Sequence, residues 1–137
     1  MQITAYTISL TVEDVAASST FLTNHFGFRQ ESAADGFAKL GHDNGGMKIV
    51  FLRRGIKVLP ESYRDQHAAG LILAFDVTNL AAEESRLRGE GVTITMPVRE
   101  DPWGERSFQV TDPNGVIIQL VEWVTPSQSM TQDTLTS

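Results

Sequence analysis

The sequence predicts an α+β fold made of two similar βαβββ modules, each with four strands and one helix. Strand-like and helix-like spacings of apolar residues follow one another in the same order twice along the chain. Turn signals separate these segments. Corresponding positions are 65 to 69 residues apart, since Leu10 matches Phe75 and Asp43 matches Asp112. Units with a helix on one face of a sheet belong to the α+β layer architectures.

The first module begins with a strand and a helix. Apolar and small polar residues alternate over 7–12, which is typical of a strand. Asp14 is a good N-cap for a helix that Gly27 would end. Turns are predicted at 33–36 and 43–46. The remaining strands are predicted at 28–31, 37–40 and 47–52.

The second module repeats this order. Asn79 can cap a helix that Gly89 and Gly91 would close. Turns are predicted at 101–104 and 112–115. The strands are predicted at 71–77, 92–96 with an end at Pro97, 107–111 and 116–123.

The domain organisation follows from these segments. We expect one domain over 1–124, with modules 1–54 and 70–124. The irregular segment 55–69 is predicted to link the modules and to fold over a cleft. The Ser-, Thr- and Gln-rich tail 125–137 has little to bury and is predicted to be disordered.

Composition limits the function classes. The chain of 137 residues has no cysteine, which fits a reducing cytoplasm. Its net charge of −6 argues against nucleic-acid binding and would favour cationic ligands. No apolar stretch approaches the roughly 20 residues of a membrane span. The N-terminus has no secretion signal, so we predict a cytoplasmic protein without nucleic-acid or membrane partners.

The strand pattern predicts a cleft between the sheet faces that the helices leave free. Its walls would be the odd-numbered positions of 7–11 and 117–123 and the even-numbered positions of 48–52 and 72–76. These positions form an apolar surface with a few polar groups, which is common in small-molecule pockets.

Several side chains are candidates for ligand binding, each with a structural alternative. Trp103, in a Pro-Trp-Gly turn, can stack on an aromatic or cationic ring or can pack its turn. Asp76 can meet a cationic ligand or pair with an arginine, and Gln119 can hydrogen bond to a ligand. Phe108 can line the cleft or belong to the core. Tyr63 can close over a ligand or lie on a solvated loop.

The order and spacing of these motifs resemble the vicinal-oxygen-chelate superfamily of glyoxalases, extradiol dioxygenases and fosfomycin- and bleomycin-resistance proteins. The resemblance implies paired βαβββ modules that usually form a homodimer, in which the partner chain often completes the cleft. In antibiotic-binding members, a tryptophan in a context like that of Trp103 stacks on the ligand. The segments that carry the resemblance are 12–28, 74–77, 102–108 and 112–120, within a span of 3–124.

The resemblance also implies where a metal would be bound. Enzymes of the superfamily take His, Gln or Glu ligands from the first and last strand of each module. In this sequence those positions are Thr7, Val50, Ile72 and Gln119. Divalent metals need several carboxylate or imidazole donors, which this set lacks. We therefore predict no metal and no other cofactor, and we assign no catalytic residue.

The sequence thus favours a metal-free, bleomycin-resistance-like protein that sequesters an aromatic or cationic, antibiotic-type ligand in a cleft at a dimer interface. The alternative is a glyoxalase-like lyase or isomerase, or a dioxygenase, which predicts a carboxylate or histidine near Gln119. A third alternative is a ligand-free accessory domain. The predicted ligand-binding residues are Thr7, Ser9, Val50, Tyr63, Ile72, Asp76, Trp103, Phe108 and Gln119.

Overall fold

A computed structural model describes residues 1–123 and confirms the predicted fold class. The chain divides into two compact units. Unit 1 comprises Met1–Gly70 and Asp112–Gly115, and unit 2 comprises Leu71–Thr111 and, among the described residues, 116–123. Each unit contains one four-stranded sheet and one long helix in the order βαβββ. The predicted tail 125–137 lies outside the described residues.

Unit 1 is built on sheet A, whose strand order is β1-β4-β3-β2. The first strand is parallel to the last, and the other neighbours are antiparallel. Its elements are β1 (Thr7–Val12), α1 (Val15–Phe26), β2 (Phe28–Ala34), β3 (Phe37–His42) and β4 (Lys48–Arg53), followed by a short 3-10 helix (Glu61–Tyr63).

The ends of α1 follow the sequence signals. The Asp14 side chain accepts a hydrogen bond from the Ala17 backbone N–H at 3.1 Å, which satisfies one of the free donors of the first turn. Gly27 ends the helix in the left-handed region at φ 74°, where a side chain would be strained. Leu22 is fully buried on the face that packs against the sheet.

Unit 2 is built on sheet B, with the order β5-β8-β7-β6 and again a parallel pair of first and last strands. Asn79 caps α2 by accepting from Ala82 N at 3.1 Å, and Glu122 accepts from Leu80 N at 2.7 Å. Within residues 1–123, no helix is long and apolar enough to cross a membrane. The elements are β5 (Ile72–Asp76), α2 (Leu80–Gly89), β6 (Ile94–Glu100), β7 (Glu105–Thr111) and β8 (Ile117–Trp123).

Several strand ends differ from the prediction. The predicted end of a strand at Pro97 is wrong, because β6 continues to Glu100. This strand is at the edge of sheet B, and register shifts interrupt its pairing with β7. The strand therefore tolerates the missing backbone N–H of Pro97. Likewise β2 extends to Ala34 instead of ending at residue 31, and β7 begins at Glu105 instead of at residue 107.

The segment 55–69 is held against the end of β1 in unit 1. The Thr11 hydroxyl donates to the Gln66 carbonyl at 2.5 Å, and Ala68 N donates to the Thr11 carbonyl at 2.8 Å. Arg54 lies 2.7 Å from a ring nitrogen of His67 and forms an ion pair with Glu13. The segment therefore has defined contacts with unit 1 along its C-terminal part.

The predicted turn 112–115 belongs to unit 1 through a hydrogen-bonded cluster, which we call the turn–helix network: Asp14, Ser18, Asp112 and Asn114. The Ser18 hydroxyl donates to Asp112 Oδ2 at 2.5 Å. Asn114 Nδ2 donates to Ser18 Oγ and to the Asp14 carbonyl, and Asn114 Oδ1 accepts from Asp14 N at 3.0 Å. Ser18 and Asp112 are buried, so the network fixes the turn on the first turn of α1.

Candidate functional site

Each sheet has one face covered by its helix and one helix-free face. In unit 2 the Glu122 side chain accepts a hydrogen bond at the start of α2, so it lies on the face of sheet B that the helix covers. Because side chains alternate along a strand, every second residue from Glu122, and the residues paired with these, face the helix as well. Residues in the opposite phase form the helix-free face of sheet B. The strand register places on this face Ile72, Ala74, Asp76, Glu105, Ser107, Gln109, Ile117, Gln119, Val121 and Trp123.

A chain of hydrogen bonds crosses the helix-free face of sheet B. The Trp103 indole N–H donates to Glu105 Oε1 at 2.8 Å. Gln119 Nε2 donates to Glu105 Oε2 at 3.1 Å, and Gln109 Nε2 donates to Gln119 Oε1 at 2.7 Å. The Glu105 carboxylate therefore holds both the indole of the turn and the amide on the central strand.

The turn before β7 presents Trp103 to this face. Gly104 has φ 92°, which only glycine adopts without strain, and its N–H donates to the Asp101 carbonyl at 2.9 Å. The indole remains 48% exposed even though its N–H is bonded to Glu105. A ring that is oriented but half uncovered is available to stack on another flat group.

A second indole is bonded to a second carboxylate on the same face. The Trp123 N–H donates to Asp76 Oδ2 at 3.4 Å, and the ring is 45% exposed. In the sheet, Asp76 lies opposite Val121, and Trp123 lies opposite Glu105. The face thus combines two exposed tryptophans with two carboxylates.

The two carboxylates lack a cationic partner among the described residues. No lysine, arginine or histidine of residues 1–123 forms an ion pair with Asp76 or Glu105, although cations elsewhere are paired, such as Arg99 with Asp101 and Arg86 with Glu83. Two negative charges beside two aromatic faces make this part of the surface attractive to cations.

Ser107 adds a buried polar residue to this face. It lies between Glu105 and Gln109 on β7 and opposite Val121 on β8. The residue is only 3% exposed. Among the described residues, no buried side-chain nitrogen or oxygen lacks a hydrogen-bond partner.

Comparison with known proteins decides the family. A sequence profile of the Glyoxalase/Bleomycin resistance protein/Dioxygenase superfamily matches residues 4–120. The chain belongs to this superfamily. A comparison with curated protein sequences finds no match.

Solved structures of the same fold include a glyoxalase/bleomycin resistance protein/dioxygenase from Nocardioides. It is 20% identical with a TM-score of 0.74, over 92% of this chain and 87% of that one. Lactoylglutathione lyase from Agrobacterium tumefaciens is 15% identical with a TM-score of 0.69, over 88% and 94%. TioX from Micromonospora sp. ML1 is 22% identical with a TM-score of 0.66, over 88% and 99%. These likenesses show the fold alone.

The superfamily fold brings some of the predicted site residues together in unit 2. Ile72, Asp76 and Gln119 share the helix-free face of sheet B, and Trp103 is bonded to Glu105 on that face. Asp76 contacts Trp123, and no arginine of the described chain is within ion-pair distance of it.

The other predicted residues lie elsewhere. Thr7, Ser9 and Val50 share the helix-free face of sheet A in unit 1. Tyr63 is in the 3-10 helix of segment 55–69 and is 58% exposed. Phe108 is fully buried opposite Leu120 on the helix-covered face of sheet B, so it is part of the core and does not join Gln119.

The helix-free face of sheet A carries different chemistry. Lys48 lies opposite Thr7 and forms an ion pair with Glu31 at 2.5 Å. The hydrogen bond from Lys48 lowers the pKa of Glu31 below its ordinary value. A side chain at Gly41 would overlap both charged groups, so glycine leaves the space that the pair occupies.

The residues at the superfamily's metal positions do not fit a divalent ion. Val50 and Ile72 have no donor atoms, and both amide atoms of Gln119 are bonded to protein groups. No group of three or more His, Cys, Asp or Glu side chains that could hold a metal occurs within residues 1–123. Thr7 is the other member of the set, and one hydroxyl cannot replace the missing carboxylate and imidazole ligands.

No local pattern identified Glu105, Ser107 and Gln109 as residues of this face. The strand was predicted to begin at 107, which left Glu105 in a turn with no assigned direction. Had the alternation been continued back from Gln109, Glu105 would have fallen on the same side. The bond between Glu105 and Gln119 depends on the register between β7 and β8, which no local pattern specifies.

Proposed function

We propose that this protein binds a small aromatic cation on the helix-free face of sheet B without a metal. The observation that carries the proposal is that Trp103 and Trp123 are each hydrogen-bonded to a carboxylate, and that neither carboxylate has a cationic partner among the described residues. The two rings offer flat surfaces, and Glu105 and Asp76 supply the charge that a cation would neutralise.

The energetics favour a ligand that is both flat and positive. An indole stacked on a cationic or aromatic group contributes about 0.5–2 kcal/mol beyond area burial. A hydrogen bond to a charged group contributes about 1.5–3 kcal/mol. The net charge of −6 further raises the local concentration of cations. Neutral aromatic molecules would gain only the contribution from stacking on an indole.

The finer proposal is that the protein sequesters an antibiotic-type ligand at an interface between two copies of the chain. Superfamily members commonly bind small molecules and often dimerise. Ile72, Trp103 and Trp123 are large apolar residues that remain between 45% and 49% exposed on one face. Exposed apolar side chains on one face are typical of interaction sites. Analytical ultracentrifugation with and without ligand would test the assembly.

Replacing Trp103 by Ala should weaken binding of an aromatic cation by about 1–3 kcal/mol, because the stacking surface is lost. Biphenyl carboxamidine is a suitable probe, and isothermal titration calorimetry measures its Kd. The matched control is Tyr6→Ala, which removes an exposed aromatic ring in unit 1 and should leave the Kd unchanged. Equal affinities of the wild type and the Trp103→Ala variant would contradict the proposed site.

An enzymatic function is the second candidate, and one observation favours it. A lyase, isomerase or dioxygenase using this site would need a carboxylate or histidine near Gln119, and Glu105 lies 3.1 Å from its amide. Both oxygens of this carboxylate already accept hydrogen bonds, from Trp103 and Gln119, which suits a positioning role better than proton transfer.

Metal content separates the two candidates. Protein purified without added metal should contain far less than one equivalent of Ni, Zn, Mn or Fe by elemental analysis, because the donor set is inadequate. Treatment with EDTA should leave the affinity for biphenyl carboxamidine unchanged. A stoichiometric metal whose removal abolishes a lyase, isomerase or dioxygenase activity would replace the binding proposal with the enzymatic one.

A further inference from the structure

We infer that Asn44 is a site of spontaneous deamidation, and that the turn–helix network protects Asn114 from the same reaction. The chain contains two Asn-Gly pairs, Asn44-Gly45 and Asn114-Gly115, in the turns that precede β4 and β8. Asparagine is a thermolabile residue, and a following glycine places no side chain beside the backbone nitrogen that attacks it. The inference goes beyond the proposed function and does not depend on the ligand.

The reaction needs water as its only co-reactant. The glycine backbone nitrogen, after losing its proton to a solvent base, attacks the asparagine Cγ. The N–Cγ bond forms as the Cγ–Nδ2 bond breaks, and ammonia leaves with a proton taken from solvent. Water then adds to either carbonyl carbon of the cyclic succinimide and breaks the bond from that carbon to nitrogen, which gives aspartate or isoaspartate. The rate therefore depends on whether the asparagine side chain is free to approach the next backbone nitrogen.

The turn that contains Asn44 leaves this approach open. Asn44 and Gly45 are both exposed. The Asn44 backbone N–H donates to His42 Nδ1 at 3.1 Å, but its side-chain amide has no hydrogen-bond partner within residues 1–123. Apart from chain neighbours, no atom of the described residues lies within 4 Å of a Cβ built at Gly45. Neither a hydrogen bond nor a neighbouring group holds the amide away from the attacking nitrogen.

The turn–helix network holds the amide of Asn114 in place. Asn114 Nδ2, the atom that would leave as ammonia, donates to the Asp14 carbonyl and to Ser18 Oγ, both at 2.7 Å. Asn114 Oδ1 accepts from the Asp14 backbone N–H at 3.0 Å. Attack by the Gly115 nitrogen requires the amide to turn away from α1, so these three bonds have to break first.

The backbone does not distinguish the two sites. The Gly45 N–H donates to the His42 carbonyl at 2.9 Å, and the Gly115 N–H donates to the Asp112 carbonyl at 3.0 Å. The two glycines also have similar positive φ angles, 79° and 89°. The expected difference in rate therefore comes from the side-chain hydrogen bonds of the network.

The products should affect the two turns differently. Asn44→Asp adds one negative charge to an exposed turn and should leave the urea midpoint nearly unchanged. Asn114→Asp replaces the Nδ2 donor with a second acceptor, which would face the Asp14 carbonyl and Ser18 Oγ. It should therefore lower the urea midpoint clearly, because the network would contain unpaired acceptors.

Peptide mass spectrometry of the whole chain, kept at mildly alkaline pH, measures both rates in one sample. In the native protein Asn44 should be converted at least about tenfold faster than Asn114, the ratio that one or two hydrogen bonds support. In urea the two rates should become similar, because both pairs are Asn-Gly. Asn44→Gln should prevent the acidic shift of the native chain in isoelectric focusing, since glutamine would have to close a larger ring.

Two neighbouring serines of α1 separate the network from general stability. Ser18→Ala removes one acceptor of the Asn114 Nδ2 group and should raise the Asn114 rate severalfold without changing the Asn44 rate. Ser19→Ala is the matched control, because Ser19 is also buried but donates to Gln30 and is not part of the network. It should leave both rates unchanged.

Three results would overturn the inference. If Asn114 reacts as fast as Asn44 in the native protein, the network gives no protection. If Asn44 reacts only in urea, it is not a modification site of the folded chain. If Ser18→Ala and Ser19→Ala accelerate Asn114 equally, general opening of the fold sets its rate and the network does not.

Discussion

Replacing Asp112 by Ala should lower the free energy of unfolding by about 2–4 kcal/mol, measured by urea denaturation. The substitution removes the acceptors of the buried Ser18 hydroxyl and of the half-buried Asn114 N–H. A buried donor left without a partner costs about 1–3 kcal/mol. Asp112→Asn keeps an acceptor oxygen and should cost less than the Ala variant.

The internal repeat supplies the control for this prediction. Asp43 is the counterpart of Asp112 in the turn of the first module, but its side chain is 76% exposed and paired with Arg29 on the surface. Asp43→Ala should therefore change stability by only about 0.5 kcal/mol. Equal losses in the two variants would mean that the turn–helix network contributes nothing beyond the turn itself.

Replacing Phe108 by Ala should cost about 3–5 kcal/mol, since it creates a cavity in the core of unit 2. Phe108 is fully buried, as are Val110 and Ile118 in the same layer. A loss of this size is a large share of the stability of a domain and would shift the urea midpoint strongly. Phe108→Leu, which keeps most of the volume, should cost about 1.5 kcal/mol or less.

Ligand affinity provides the second readout for Phe108. The Phe108→Leu variant should bind biphenyl carboxamidine as tightly as the wild type, because the side chain lies on the helix-covered face of sheet B. Trp103→Ala should show the opposite result, with weaker binding and a stability loss of about 1 kcal/mol or less for a half-exposed ring. A Phe108→Leu variant with unchanged stability and weaker binding would place this ring in the site.

Local patterns predicted most of the secondary structure correctly. The alternation in β1 and the Asx caps at Asp14 and Asn79 depend only on neighbouring residues, and all three are confirmed. The end at Pro97 was wrong because tolerance of proline depends on whether a strand is at an edge, which the local sequence does not show. The turn–helix network joins residues 94 positions or more apart, and only the folded chain brings them together.

The candidate site was predictable only where it depended on local strand patterns. Strand parity put Asp76 and Gln119 on one face, and the register confirms that placement. Glu105 was missed because its direction depended on where β7 begins. The sequence is compatible with Phe108 in either the cleft or the core, and its complete burial places it in the core.

The most direct test of the account is a nuclear magnetic resonance titration of the two indole N–H signals. The chain has two tryptophans, so both signals report on the helix-free face of sheet B. With EDTA present, biphenyl carboxamidine should shift both signals in a saturable way, at the concentration that calorimetry gives. Binding that leaves both signals unmoved, or that requires added metal, would contradict the account.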